Sequence, residues 1–123
     1  MVLIALSPAE FQRLGLELVG FNEEWQDKTC QATNLRRFRA IFGPSPETCS
    51  QMFEDLQTTN IEEARVVKPN PAYFMMSLNW LRTYKTEEEM AGQWGLIEQT
   101  VRDKVWKYTF AMAALKEAKV RFL

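Results

Sequence analysis

The stretch from Thr86 to Tyr108, TEEEMAGQWGLIEQTVRDKVWKY, limits most what this chain can fold into. Thr86 and Glu89 have capping-box spacing: the hydroxyl accepts the backbone N–H of Glu89, whose carboxylate reaches back to the N–H of Thr86. Helix formers follow as far as Gly95, which takes the left-handed conformation that ends a helix without a Cβ clash. A second helix starts near Glu98 and passes Tyr108. Small Ala91 lets two crossing helices approach, and Met90, Trp94, Leu96 and Val101 supply the apolar side of the corner. Lys104 stands where an apolar residue usually anchors the second helix, with Val105 beside it. Helices are therefore predicted over 87–94 and about 98–118, meeting at Gly95-Leu96-Ile97 and burying Ala91, Leu96 and Val101. This is a helix-turn-helix pattern, whose second helix can enter a DNA major groove; a plain packed αα-corner has the same local signals.

Further upstream, helix starts are written as a capping residue followed by proline. Ser7-Pro8-Ala9-Glu10 opens a helix with Phe11, Leu14 and Leu18 on one stripe, closed by Gly20. Residues 21–34, with Trp25, show no clear period and read as a loop or a short helix. Asn34 is expected to cap LRRFRAIF, which ends at Gly43, with Leu35, Phe38 and Ile41 or Phe42 inward and Arg36, Arg37 and Arg39 outward. Ser45-Pro46 starts a helix whose inner face is Cys49, Met52, Phe53 and Leu56. A polar connection runs from Gln57 to Pro69, with a turn over 60–63. Asn70-Pro71 starts the most apolar helix, carrying Phe74, Leu78 and Leu81, widened by Met75, Met76, Trp80 and Tyr84. Leu81→Ala in such a central helix is expected to cost about 2–5 kcal/mol. No segment alternates as a strand does. The expectation is an all-α bundle of five to six helices, a single domain over 1–123 with a helix-turn-helix at 86–108 and a long last helix.

Composition narrows function by exclusion. The chain has 123 residues, 46% apolar and 25% charged, an ordinary globular balance. No apolar run approaches the length of a membrane span, and MVLIAL lacks the basic flank of a secretory leader. An intracellular location is expected, nuclear in a eukaryote, with no membrane partner. Histidine is absent and Cys30 and Cys49 have no partners at metal spacing, which removes zinc fingers and histidine-based catalysis. Both thiols are expected reduced and at least partly buried. Glu87-Glu88-Glu89 points in three directions about 100° apart, so these carboxylates suit a helix dipole rather than one metal ion. With no phosphate loop or nucleophile elbow, neither enzyme activity, a cofactor, a metal nor a small-molecule ligand is expected.

Net charge is −1, unfavourable for a nucleic-acid binder, but its distribution is uneven. Residues 1–60 carry 5 basic and 8 acidic side chains, and from Gln99 onward there are 6 basic (Arg102, Lys104, Lys107, Lys116, Lys119, Arg121) against 2 acidic. Duplex DNA is accordingly the candidate partner. Gln99 and Arg102 are the candidate base readers, because glutamine bridges adenine and arginine guanine with paired hydrogen bonds. Thr100, Lys104 and Lys107 are candidates for phosphates, with Arg36, Arg37 and Arg39 a second clamp. Phe110, Met112 and Leu115 are assigned to packing. Salt bridges and a solvated helix face account for the same charges without DNA.

Three segments carry a family resemblance: FRAIFGPSPETC (Phe38 to Cys49), NPAYFMMSLNWLRTYKTEEEMA (Asn70 to Ala91) and TVRDKVWKY (Thr100 to Tyr108). Residues 36–121 resemble the N-terminal region of transposase-like proteins of the Harbinger and related Asp-Asp-Glu families. LNWLRTYKTEEEMAGQWG is similar to the family's apolar helix, basic-polar turn and "xxLAxxFG" run, and Thr100-Val101 matches the start of its recognition helix. The resemblance implies a small helical DNA-binding domain that precedes a separate catalytic domain, whose metal-binding carboxylates sit on an α/β scaffold that this chain lacks. It also implies a separate catalytic subunit as partner, and the net charge of −1, which predicts weak binding by one domain, adds a second copy. The alternative is a helical protein-interaction module of transposon origin that no longer binds DNA.

Overall fold

The structure, a computed structural model, describes the backbone of residues 3–121 and the side chains of residues 3–117. It is all-helical, with no strand among the described residues. The order is α1 (Pro8–Leu18), α2 (Glu23–Lys28), α3 (Gln31–Phe42), α4 (Pro46–Thr58), a 3-10 turn (Glu62–Ala64), α5 (Pro71–Thr83), α6 (Glu87–Trp94) and α7 (Glu98–Arg121). The side chains of Lys119 and Arg121 lie outside the described residues.

Local capping sets the helix starts. Ser7 accepts from Glu10 N while the Glu10 carboxylate accepts from Ser7 N, a complete capping box. Ser45 accepts from Thr48 N and Asn70 from Ala72 N. At Thr86 only half of the expected box forms: the hydroxyl accepts from Glu89 N, but the Glu89 carboxylate turns to that hydroxyl rather than to the backbone.

α5 lies at the centre, packed on α3, α1 and α7, and every residue from Phe74 to Asn79 is buried. Phe74 meets Phe11 and Phe53 with ring centroids 5.9 and 5.3 Å apart, and Phe11 meets Phe53 edge-on at 5.4 Å. This aromatic triangle ties α1, α4 and α5 together. A second, smaller cluster of Met76, Met90, Val101 and Val105 lies apart from it, beneath the α6–α7 corner.

Several expectations are corrected. Among the described residues there are seven α-helices rather than five to six, because residues 21–34 form α2 and the first turn of α3. Asn34 is not a cap. It is buried within α3, where its amide donates to the carbonyls of Gln26 at 3.0 Å and Thr29 at 3.4 Å, and Cys30 holds the N-cap position. The buried face of α1 is Phe11, Gln12, Gly15 and Leu16, with Leu14 and Leu18 half-buried. Gly15 is turned inward because Phe38, Phe42 and Met75 leave no room for a Cβ there. Leu81 is only half-buried, at the edge of an open groove, so the cost assigned to its truncation belongs to Leu78. Cys49 is fully buried, whereas Cys30 is exposed. Phe110 is not a packing residue, being 64% exposed.

Candidate nucleic-acid interface

α6 ends at Gly95, which adopts φ 67°, ψ 34° and donates its N–H to the Ala91 carbonyl. Leu96 N also bonds Ala91 O, at 3.0 Å, closing the turn before α7 begins. Val101 and Val105, 1% and 3% exposed, face Met90 and Met76 beneath the corner. Ala91 and Leu96, expected to be buried there, are half-buried. Val105 takes the anchoring place. Lys104, displaced to the flank and half-buried, holds its ammonium 5.2 Å from the Tyr73 ring centroid.

Gln99, Arg102 and Asp103 are exposed on the outer side of the first turns of α7, and Thr100 is half-buried. Arg102 is already engaged. Its Nε lies 3.0 and 3.1 Å from the two Glu87 carboxylate oxygens and its Nη2 2.7 Å from Oε2, a forked pair joining the start of α6 to α7. The hydrogen bond from Arg102 holds the Glu87 carboxyl below its ordinary range, and the same contact raises the guanidinium. Lys107 is exposed, 6.0 Å from the Tyr108 ring centroid. Glu88, Glu89, Glu98 and Asp103 are exposed carboxylates near the same corner.

The three arginines of α3 differ in their surroundings. Arg36 and Arg39 are exposed, but Arg37 is half-buried with its guanidinium 4.9 Å from the Phe21 ring centroid. The Arg37 Nη1 atom is buried without a hydrogen-bond partner. α3 packs on α1 and α5. Among the described residues, no hydrogen bond, ion pair or ring contact links these three arginines to α6 or α7. Sequence separation, by itself, gave no sign that Arg37 belongs to the α1–α2 side.

An apolar surface beside the corner escaped the sequence reading. Tyr84, Trp80, Trp106 and Phe110 form a row across α5 and α7, with successive ring centroids 5.7, 6.0 and 5.3 Å apart. Tyr84 is 74% exposed, Trp106 46% and Phe110 64%. The available signal was the pairing of aromatics four residues apart in each helix, away from the buried stripe. Next to the row lies a groove of about 640 Å³, lined by Phe42, Met52, Leu78, Leu81, Met112 and Leu115. Among the described residues, Arg82 and Lys116 are its charged residues and no carboxylate lines it.

Among the described residues, no group of three or more His, Cys, Asp or Glu is placed to hold a metal ion, and no helix is long and apolar enough to cross a membrane. Comparisons with protein-family models, curated proteins and solved structures find no match to this chain.

Proposed function

We propose that this chain is a duplex-DNA-binding domain of transposase-like type, reading DNA through the start of α7. The observation that carries this reading is the corner itself. α6 and α7 meet at a left-handed Gly95 over the Met90–Val101–Val105 contact, with Gln99 and Arg102 turned outward. A helix-turn-helix presents its second helix in this way. A major groove is about 12 Å wide, so only the first turns of a helix of this length enter it. Gln99 then meets base edges, Thr100 and Lys107 meet phosphates, and Lys104 approaches from the flank. Arg102 exchanges the Glu87 carboxylate for guanine or phosphate. That exchange makes binding conditional on losing an internal ion pair.

Titration of random duplex DNA at several salt concentrations tests the proposal. If about four phosphates are neutralised, log K falls with log salt at a slope near −3.6. Arg102→Ala combined with Lys107→Ala should weaken binding and flatten the slope by about one to two. Absence of duplex binding by the parent at low salt, or parental binding by the double variant, rejects the proposal.

The second reading is a helical protein-interaction module of transposon origin that no longer binds DNA. One observation favours it: Glu87, Glu88, Glu89, Glu98 and Asp103 surround the start of α7, and Glu87 occupies Arg102. On that reading the partner is a second copy or a separate catalytic subunit, and the salt titration finds no duplex binding.

A further inference from the structure

We propose that the α5–α7 groove, with the aromatic row that continues it, is a docking site for an acidic amphipathic helix of a partner protein. The groove and the row are one surface. Trp106 and Thr109, and Phe110 and Ala113, are three residues apart on α7, and residues at that spacing are neighbours on a helix face; Tyr84, the left-handed C-cap of α5, joins the row through Trp80. Apolar ground therefore extends from the groove to exposed Phe110 and, through Trp106 and Trp80, to Tyr84. Its volume of about 640 Å³ is ample for a row of apolar side chains inserted from one helix. Exposed tryptophan and tyrosine beside a pocket are the side chains that dominate binding energy where protein surfaces meet. Helix-in-groove recognition uses this arrangement, with apolar anchors spaced three and four residues apart.

Charge selects the kind of helix. Arg82 donates its Nε to Ala40 O at 3.4 Å, and neither Arg82 nor Lys116 is ion-paired among the described residues. With two cations and no carboxylate in the lining among the described residues, acidic residues flanking the anchors gain partners and basic ones are repelled. A nucleic-acid strand suits this ground less well, since two cations over an apolar floor neutralise few phosphates. The surface contains none of Gln99, Thr100, Lys104 or Lys107, so docking and DNA binding are separable.

The test uses the full chain and a fluorescein-labelled synthetic helix with Leu at i, i+3, i+4 and i+7 and Glu elsewhere, followed by anisotropy. A control peptide carries Lys in place of every Glu. Saturable binding of the acidic peptide, about tenfold or more tighter than the control, is expected. Arg82→Glu with Lys116→Glu should weaken it about tenfold, and Phe110→Ser, at an exposed site, by about as much. Far-UV circular dichroism confirms that each variant is folded. Equal binding of the two peptides, no binding, or binding indifferent to both Phe110→Ser and the charge reversal overturns the proposal. So does concentration-dependent self-association abolished by Phe110→Ser, which assigns the surface to a second copy. Phosphatidylserine vesicles or a single-stranded oligonucleotide binding through Phe110 when the acidic peptide does not also overturns it.

Discussion

Gly15 and Gly92 form a matched pair whose alanine variants should move stability in opposite directions. Both lie inside helices, α1 and α6, where replacing glycine by alanine adds about 0.8–1.0 kcal/mol of helix propensity. Their surroundings differ. A Cβ at Gly15 would lie 2.6 Å from Phe38 Cε2 and 2.9 Å from both Met75 Cε and Phe42 Cε2, whereas nothing lies within 4 Å of one at Gly92. Phe38 and Met75 are fully buried and Phe42 nearly so, so these rings retreat only by displacing further core residues. Inserting a methyl into such packing costs about 1–3 kcal/mol. Net of propensity, Gly15→Ala should destabilise by up to about 2 kcal/mol, and Gly92→Ala should stabilise by up to about 1 kcal/mol. Urea unfolding followed by tryptophan fluorescence reads both, with an unchanged m-value confirming that the denatured state is not responsible. In a chain of this size each kcal/mol moves Tm by about 3–5 °C. If Gly15→Ala stabilises the protein as much as Gly92→Ala, the α1–α3–α5 packing described above is wrong.

Other substitutions address single contacts. Tyr108 Oη accepts the Asn70 N–H at 2.7 Å, so Tyr108→Phe leaves that donor unpaired and should cost about 1–3 kcal/mol in urea unfolding; a change below about 0.5 kcal/mol would mean water replaces the hydroxyl. A thiol reagent should modify one cysteine quickly in the native protein. The Cys30 thiol is exposed and drawn down by its hydrogen bond with Thr33, while burial pushes Cys49 up to about 12; two equally fast thiols would contradict this. The Cys49 shift also sets a pH dependence. An unfolded thiol loses its proton near 9.0 and the folded one near 12, so above pH 9 the native state holds the extra proton and stability falls with pH. Compared with Cys49→Ala, the wild type should lose about 1.4 kcal/mol per pH unit in that window and nothing below it; parallel profiles would reject the burial. Glu87→Gln should release Arg102, tighten binding to duplex DNA and steepen the salt slope by about 0.9, whereas unchanged affinity would show that Arg102 takes no part.

Helix starts were legible because a cap is local: a side chain at Ser7, Ser45, Asn70 or Thr86 bonds a backbone N–H no more than three residues away. The α6–α7 boundary was legible for the same reason, since Gly95 alone supplies the positive φ. What failed depends on partners beyond the reach of a local cap. Asn34 has the composition of a cap and was read as one, but Gln26 of α2 and Thr29 just after it offer its amide two carbonyls inside the fold. Gly15 carries no hydrophobic signal, so the inward face of α1 was placed on Leu14 and Leu18. The candidate site shows the same division. The outward placement of Gln99 follows from helix periodicity, whereas the pairing of Arg102 with Glu87, 15 residues away, depends on how two helices cross.

The small cluster under the corner has a consequence for how the molecule opens. Met76, Met90, Val101 and Val105 are packed apart from the aromatic triangle, and α6 leans chiefly on α7. Lifting α6 exposes that cluster and leaves the Phe11–Phe53–Phe74 contacts closed. α6 should therefore open as a separate unit, its amides exchanging with solvent through a partial opening that also frees Trp94 while those of α5 wait for global unfolding. A ligand that grips only the closed corner would slow exchange in α6 while leaving α5 at its original rate, until the partial opening costs as much as unfolding the whole chain.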